Sequence, residues 1–569
     1  MSAPAFFLAK GGALRDKKAM PLTVWYEGRR LDLDARGPDG ASRTLARLLW
    51  LEGPLPPRPL CGGLGRCGRC RVRFRSAPPA PAPSETRALS AAELEAGIRL
   101  ACLHEARDDM EIEATPDPSE RGKPVAPDSA GATFRSPRSG LHLAVDFGTT
   151  TVAWQAEDDA GNILAAGESP NPQMAAGAEV MARLAEGATP DGARRMRRLA
   201  LDFLDDIVDN LADSCWEVRD ICLAANPAMT ALALGRDTSG LRAAPYRLDD
   251  PGDREERAGV LPPVWIPPQI GPFVGGDVSA GLAVMLDETR PFLLADMGTN
   301  GEFVLARPPR PDQDPADPPP LLAASVPLGP ALEGVGLRCG GPAGPGGVTA
   351  FRAGPEGLTA VVSGGKDGDA PRHICGTGYL SLIRLLLQSG LLDADGRFRP
   401  DAPAEPGPLE FLRARLAASL RPDTAPGSTG ELLLPLPGKL FLSAGDVEAV
   451  LQVKAAFSLA VERLLAEAGL APTDLRRICL AGALGRHAPL DALEDLGFLP
   501  SGTSSRARAA GNTSLEGAAL LLREPGRDAL RRRLARTVAA RRVLDLASDP
   551  GFHQDFIRHM RFGDTQRIV

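Results

Sequence analysis

Four cysteines limit what this chain can fold into more than any other feature. In PLCGGLGRCGRCRVRF, five residues separate Cys61 from Cys67 and two separate Cys67 from Cys70; Cys102 comes later, in GIRLACLHE. Two thiolates two residues apart can grip a metal centre from one loop, and the distant fourth must arrive on another element. Glycines at 62, 63, 65 and 68 suit such a loop. Backbone N–H groups must come close to sulfur, and glycine permits the positive φ angles this requires. Nine cysteines in 569 residues, four of them crowded together, are too few and too unevenly placed for a disulfide scaffold. Zinc prefers two short paired hooks, which the lone fourth cysteine does not supply. Buried structural thiols are the other alternative. His104 reads as a surface residue, because a Rieske-type centre needs two histidines and only one is near.

The runs LTVWYEG and CRVRF alternate as strands do, and LSAAELEAGI reads as a short helix opened by Ser90. Strand, strand, helix, strand suits a small β-grasp domain over residues 20–114. The three-cysteine loop and the GIRLAC return resemble plant-type ferredoxins, with one more residue between the first two cysteines. That resemblance implies a [2Fe–2S] cluster on Cys61, Cys67, Cys70 and Cys102.

A chain of 569 residues exceeds one hydrophobic core, and about one domain per 150 residues predicts three or four. With 43% apolar and 24% charged residues the composition is that of a globular protein, while 62 Gly and 54 Pro imply many loops. A net charge of −7 argues against a nucleic-acid partner, which needs a clustered basic footprint. The basic runs RRMRR (194–198) and LRRRLARTVAARR (530–542) read as solvated helix faces. No apolar run nears the roughly 18 residues of a membrane span, and no secretory leader pattern opens the chain, so a cytoplasmic location without membrane contact is expected. Residues 115–140 lack periodicity and are rich in Pro, Ser and Gly, which predicts a linker.

Beyond it lies a second kind of signal. LAVDFGTTTVAWQ (143–155) is an apolar strand ending in an acid, a Gly-Thr-Thr turn and a returning strand; LLADMGTNGEFVL (293–305) repeats the design. Such a repeat predicts two related subdomains facing each other across a cleft. Turn N–H groups at Gly148, Thr149 and Thr150, and at Gly298, Thr299 and Asn300, can cradle phosphate, and Asp146 and Asp296 can hold hydrated Mg²⁺. In RRICLAGALGRHAPL a buried strand runs into Gly482, Ala483 and Gly485, where backbone can lie flat against adenosine. Gly376 and Gly378 in PRHICGTGYLSLIRLLLQSG form a glycine turn opening an amphipathic helix. The four motifs in this order resemble the actin, sugar kinase and Hsp70 (ASKHA) superfamily, with its two-lobed, ribonuclease H-like ATPase fold. They imply a first lobe over 141–290 and a nucleotide-binding domain over 291–569.

A ferredoxin-like domain joined to this ATPase fold resembles the RACo family, the ATP-dependent reductive activators of corrinoid proteins. Stretches at 171–184, 225–235, 244–246, 271–281, 329–334 and 511–518 agree with it. The resemblance implies an α/β multidomain enzyme using ATP and Mg²⁺. It would pass an electron from its [2Fe–2S] cluster to the Co(II) corrinoid of a methyltransferase partner and restore Co(I). Its partners would be a methylcobamide-binding corrinoid protein and an upstream low-potential electron donor; a homodimer is left open. Glu302 either orients a hydrolytic water or is a strand residue facing solvent. Cys339, Cys375 and Cys479 read as small core residues, Cys215 and Cys222 as buried thiols, and the proline-rich stretch 306–320 as a loop. An electron-transfer protein with a nucleotide-sensing, non-catalytic ASKHA domain is the alternative. A small-molecule kinase with a ferredoxin attached is a third reading, for which no polar specificity loop is evident.

Overall fold

The computed structural model describes residues 21–36, 40–116, 140–214, 216–298, 300–309, 320–334, 336–364, 370–401, 409–424, 430–482, 489–546 and 549–563. Cys215 and most of the expected linker and proline-rich loop fall outside them. The chain divides into two units, one up to Pro267 with Leu522–Pro525, the other comprising Pro268–Leu521 and Gly526–Val569.

The first unit begins with a five-stranded mixed sheet. Its order is Arg29–Leu33, Leu22–Tyr26, Glu111–Ala114, Arg71–Phe74, Ile98–Leu100. Leu22–Tyr26 runs antiparallel to its hairpin partner and parallel to Glu111–Ala114, the arrangement a β-grasp requires. Arg71–Phe74 alternates as its sequence does, with Val72 and Phe74 inward. Leu48, Leu49, Trp50 and Leu51 on a short helical segment join the same core. Ser90 opens the helix Ala91–Glu95 with a reciprocal capping box to Glu93, which satisfies two otherwise orphaned N–H groups.

A six-stranded sheet follows, ordered Arg254–Glu256, Val264–Ile266, Glu217–Ala224, Gly140–Phe147, Thr151–Glu157, Ile163–Pro170. Gly140–Phe147 is buried almost throughout because helices and neighbouring strands cover it. Helix Pro190–Asp213 is capped by Thr189, with Pro at its first turn, and turns Met196, Ala200, Leu204, Ile207 and Leu211 inward at helical spacing.

The second unit repeats that sheet plan. Phe292–Met297 takes a parallel neighbour, Arg477–Ala481, on one side and the antiparallel strands Asn300–Ala306 and Leu321–Pro327 on the other. Gly140–Phe147 is likewise flanked by parallel Glu217–Ala224 and the antiparallel pair that follows it. The sequence repeat is thus a repeat of topology. Helix Ala444–Ala468, capped by Ser443 with Asp446 and ended at left-handed Gly469, packs across this sheet. Its Phe457 meets Phe303 and Phe498 edge-on, with centroids 4.9 and 5.8 Å apart. Each such pair is worth about 0.5–1.5 kcal/mol beyond the area it buries.

Both basic runs lie on helices with exposed arginines, Arg194, Arg197 and Arg198 in one and Arg532, Arg533 and Arg536 in the other, and each departs in part from a solvated face. The second divides into helix Arg527–Ala539 and a strand, Arg541–Leu544, which pairs in parallel with the edge strand Leu321–Pro327. In the first, Met196 is fully buried and Arg195 is only 12% exposed, held by two glutamates. Among the described residues no helix is long and apolar enough to cross a membrane.

Candidate functional site

Gly62, Gly63, Gly65 and Gly68 all take positive φ, between 63° and 89°, which L-residues adopt only with strain. This turns the loop's amides onto sulfur: N–H groups of Arg66 and Cys67 reach the Cys61 sulfur, that of Arg69 reaches Cys67, and that of Gly65 reaches Cys102. The four thiols sit as two pairs within hydrogen-bonding reach, Cys61 with Cys67 and Cys70 with Cys102. Among the described residues no three Cys, His, Asp or Glu side chains converge as ligands of a single ion. Two pairs suit a two-iron centre, in which each iron takes two protein thiolates, better than one tetrahedral ion.

Within the pairs one thiol is primed. The bond between Cys70 and Cys102 is the largest influence on both: with burial it pushes the Cys70 thiol far up, and against burial it draws Cys102 down to about 7. Burial opposes ionisation of Cys61, yet the amides of Cys67 and Arg66 outweigh it and hold that thiol below its usual value. Thiolate, not thiol, ligates metal, so Cys61 and Cys102 are biased toward the binding form, while Cys67 and Cys70 are raised by burial and by their partners.

His104 corrects the sequence reading. Its side chain is 10% exposed and its Nε2 lies 3.0 Å from both carboxylate oxygens of Glu85, whose side chain is fully buried. Glu85 also accepts from the backbone N–H of Leu100 and of Ala82, pinning the return strand that delivers Cys102.

The first Asp-x-Gly-Thr turn, after Gly140–Phe147, is gripped from behind. Asn171 donates to the Gly148 carbonyl at 2.7 Å, its backbone N–H donates to Thr150 O at 2.9 Å, and Arg183 donates to Thr149 O at 2.5 Å. Asn226 donates to the Thr149 hydroxyl at 3.1 Å, leaving that hydroxyl's own proton available. These three bonds to successive carbonyls fix the backbone of the turn. Gly148 is obligatory, since a Cβ would lie 2.7 Å from Thr151 O.

In the second unit Asp296 faces Glu302 across the hairpin and Ala481 on the parallel side. Gly482, at φ +87°, lets the end of Arg477–Ala481 lie against that turn: a Cβ would sit 2.7 Å from Asp296 Oδ1. Thr299, Ala483 and Gly485 lie outside the described residues. Gly376 and Gly378 lie in the first turn of helix Gly376–Gln388, opening it as expected. A Cβ on Gly376 would strike Leu332 O at 1.8 Å, and one on Gly378 would strike Val348 O at 2.3 Å, so both serve close packing of the helix start. Cys375 and Cys479 are buried as expected, Cys479 accepting from Arg508 Nε at 2.9 Å.

Glu302 does not simply face solvent. Its carboxyl is held well above the usual value, first by burial and then by the nearby Asp277 and Asp296. Asp277, in the first turn of helix Gly276–Val284, was not singled out by spacing; an acid after Gly-Gly at an apolar helix start was the available signal. Such a trio repels itself unless a cation or proton intervenes. Because the folded pKa of Glu302 is raised, the stability it contributes is full below the usual value of 4.5 and is lost as pH rises through the folded value. Glu302→Gln should therefore gain in thermal midpoint over the parent as pH rises above about 4.5. A difference between the two that does not vary with pH would contradict this.

Comparison with known proteins follows the same division. Residues 290–568 match the model of the C-terminal domain of RACo, the ASKHA domain, and residues 141–288 match the RACo middle region. The corrinoid activation enzyme RamQ of Eubacterium limosum is 26% identical over 440 residues, 75% of this chain and 71% of that one. The [Co(II) methylated amine-specific corrinoid protein] reductase of Methanosarcina barkeri is 28% identical over 290 residues, 46% of this chain and 45% of the relative. A solved reductive activator for corrinoid, iron-sulfur protein shares the fold at a TM-score of 0.62 and 21% identity, covering 96% of this chain and 99% of its own. The chain belongs to the RACo family, carrying its middle region and its C-terminal ASKHA domain.

Proposed function

We propose that this protein is an ATP-dependent reductive activator, which receives an electron from a low-potential donor and passes it to the Co(II) corrinoid of a methyltransferase partner, restoring Co(I). The observation that carries the reading is the presence, in one chain, of two paired thiol sets and an ASKHA domain whose relatives are named for activating or reducing corrinoid proteins. Cys61 and Cys67 would hold one iron of a [2Fe–2S] centre, Cys70 and Cys102 the other. When bound, such a centre supplies a one-electron couple near roughly −400 mV.

The chain's own residues do the rest. Loop amides at Gly65, Arg66, Cys67 and Arg69 stabilise negative charge on sulfur. Gly148, Thr149 and Thr150 on one turn, and Gly298, Thr299 and Asn300 on the other, offer donors to phosphate. Asp146 on the first turn and Asp296 on the second are the carboxylates that would hold hydrated Mg²⁺, and a cation at Asp296 would relieve the repulsion around Glu302. Glu302, once ionised, would accept the proton of the attacking water. Gly482 to Gly485 would receive adenosine, and Gly376 and Gly378 shape the start of helix Gly376–Gln388. ATP adds driving force only if it binds two states of the protein with different affinity.

The test is anaerobic: full-length protein loaded with iron and sulfide and pre-reduced is mixed with a Co(II) methylcobamide-binding protein, and Co(I) absorbance is followed with and without MgATP. Co(I) should accumulate only with MgATP. No Co(I) under either condition would sink the reading, and equal rates without nucleotide would favour a ferredoxin-type carrier with a nucleotide-sensing domain.

A further inference from the structure

The segment at residues 171–187 touches both chemical ends of the first unit. Its upstream residue Asn171 holds the phosphate turn, as described. Its middle lies on the cysteine loop: the N–H of Ala178 donates to Leu60 O at 2.7 Å, Leu60 N–H donates to Met174 O at 3.5 Å, and a Cβ placed on Gly62, next to Cys61, would lie 3.4 and 3.5 Å from Ala182 Cβ and Ala176 O. Its downstream Glu186 takes both guanidinium nitrogens of Arg47, at 3.0 and 3.1 Å, within a network that includes Glu52 and Arg195.

Arg183 joins these ends. Its side chain is fully buried, and its three contacts are Thr149 O on the phosphate turn, Gly177 O beside the seat of Leu60 (2.8 Å from Nε), and Met229 Sδ at 3.3 Å. Among the described residues no carboxylate pairs with it, and burial alone draws its pKa down to about 9. An uncompensated buried guanidinium is costly, and a core needing only space would use an apolar side chain. What no apolar side chain can do is donate at once to two carbonyls on separate elements.

We propose that Arg183 is a positioning residue that ties the first phosphate turn to the cysteine loop, so that nucleotide affinity and the redox state of the centre on that loop are thermodynamically linked. The proposal rests on the placement of phosphate and cluster given under Proposed function. Displacing Thr149 O moves a donor shared with Gly177 O, and Gly177 precedes the residue hydrogen-bonded to Leu60, one position before Cys61. Linkage runs equally in both directions: if nucleotide changes the loop, reduction must change nucleotide affinity by the same factor.

The experiment needs no corrinoid protein. In anaerobic, cluster-loaded full-length protein, the Kd of a non-hydrolysable ATP analogue is measured with the cluster oxidised and after dithionite reduction, and the EPR spectrum of the reduced form is recorded with and without the analogue. In the parent protein the two Kd values should differ by about five-fold or more, and the analogue should shift the g-values. Arg183→Met should bring the ratio of the two Kd values to one, whatever it does to either affinity alone, and Arg183→Lys should restore part of the ratio. Glu186→Gln, which loosens the same segment from Arg47 and spares the phosphate turn, should reduce the ratio if Arg183→Met does not fold. Equal Kd values and unchanged spectra in the parent overturn the proposal, as does an unchanged ratio in a folded Arg183→Met. Failure to take up iron or to bind the analogue overturns the functional reading and the proposal with it, whereas failure to reduce cobalt leaves this measurement standing.

Discussion

Changing Cys70 or Cys102 to serine in the full chain is expected to abolish uptake of the iron–sulfur centre, the largest single effect anticipated for this protein. These two thiols form one of the two pairs and are the buried ones, with Cys102 at 8% exposure and Cys70 at 2%. Removing either takes away a ligand and leaves its partner thiol buried without the bond that sets its ionisation. Serine is nearly isosteric but its oxygen is a hard, weakly acidic donor, poorly matched to iron that prefers thiolate. Cys339→Ser, at a half-buried thiol outside the loop, is the control and should keep full iron. Iron and sulfide content, visible absorption and EPR after anaerobic reconstitution decide the matter. Normal iron in Cys102→Ser, or zinc taken up by the parent in preference to iron and sulfide, would defeat the assignment.

The second large effect is expected from one methyl group. Gly482→Ala puts a Cβ 2.7 Å from Asp296 Oδ1 and 2.9 Å from Met297 O, at a φ of +87°. The left-handed backbone costs about 1–2 kcal/mol, and the collision is with a backbone carbonyl and with the carboxylate proposed to hold Mg²⁺. Neither can retreat freely, because Asp296 and Met297 are paired in the sheet on the Glu302 and Gly301 side. A displacement near 1 Å at a reacting centre can cost about 10²-fold, so MgATP turnover should fall by about that factor. Gly469→Ala separates strain from collision: its φ is +67° with nothing within 4 Å of the added atom, so it should lower stability and spare turnover. Unimpaired turnover in a folded Gly482→Ala would show that this strand end does not border the reaction.

Much of the architecture can be read from local sequence because local physics decides it. Positive φ at four loop glycines follows from the need to turn amides onto sulfur. Ser90 with Glu93, and Ser443 with Asp446, cap helices by bonds made within four residues. Apolar strands around each Asp-x-Gly-Thr turn return as hairpins, and their duplication exposes the repeated topology of the two large sheets. These features require no knowledge of distant neighbours.

Features that depend on distant partners are not visible in that way. His104 becomes a largely covered partner of Glu85 because the return segment folds onto a helical turn nineteen positions upstream. Arg195 leaves solvent because Glu52 and Glu186 meet it, and Arg541 enters a sheet edge because Leu321–Pro327 offers unpaired backbone. Asp277 approaches Asp296 and Glu302 only once helix Gly276–Val284 packs in the second unit. Sequence alone determined the thiol set, the phosphate-type turns and the repeat, since each is written in contiguous residues. Tertiary structure alone decided that the four thiols stand as two pairs, that burial beside two other acids raises the Glu302 carboxyl above its usual value, and that one buried arginine joins the phosphate turn to the cysteine loop. The physical reason is that burial and charge belong to a position in space, which residues far apart in the chain create together.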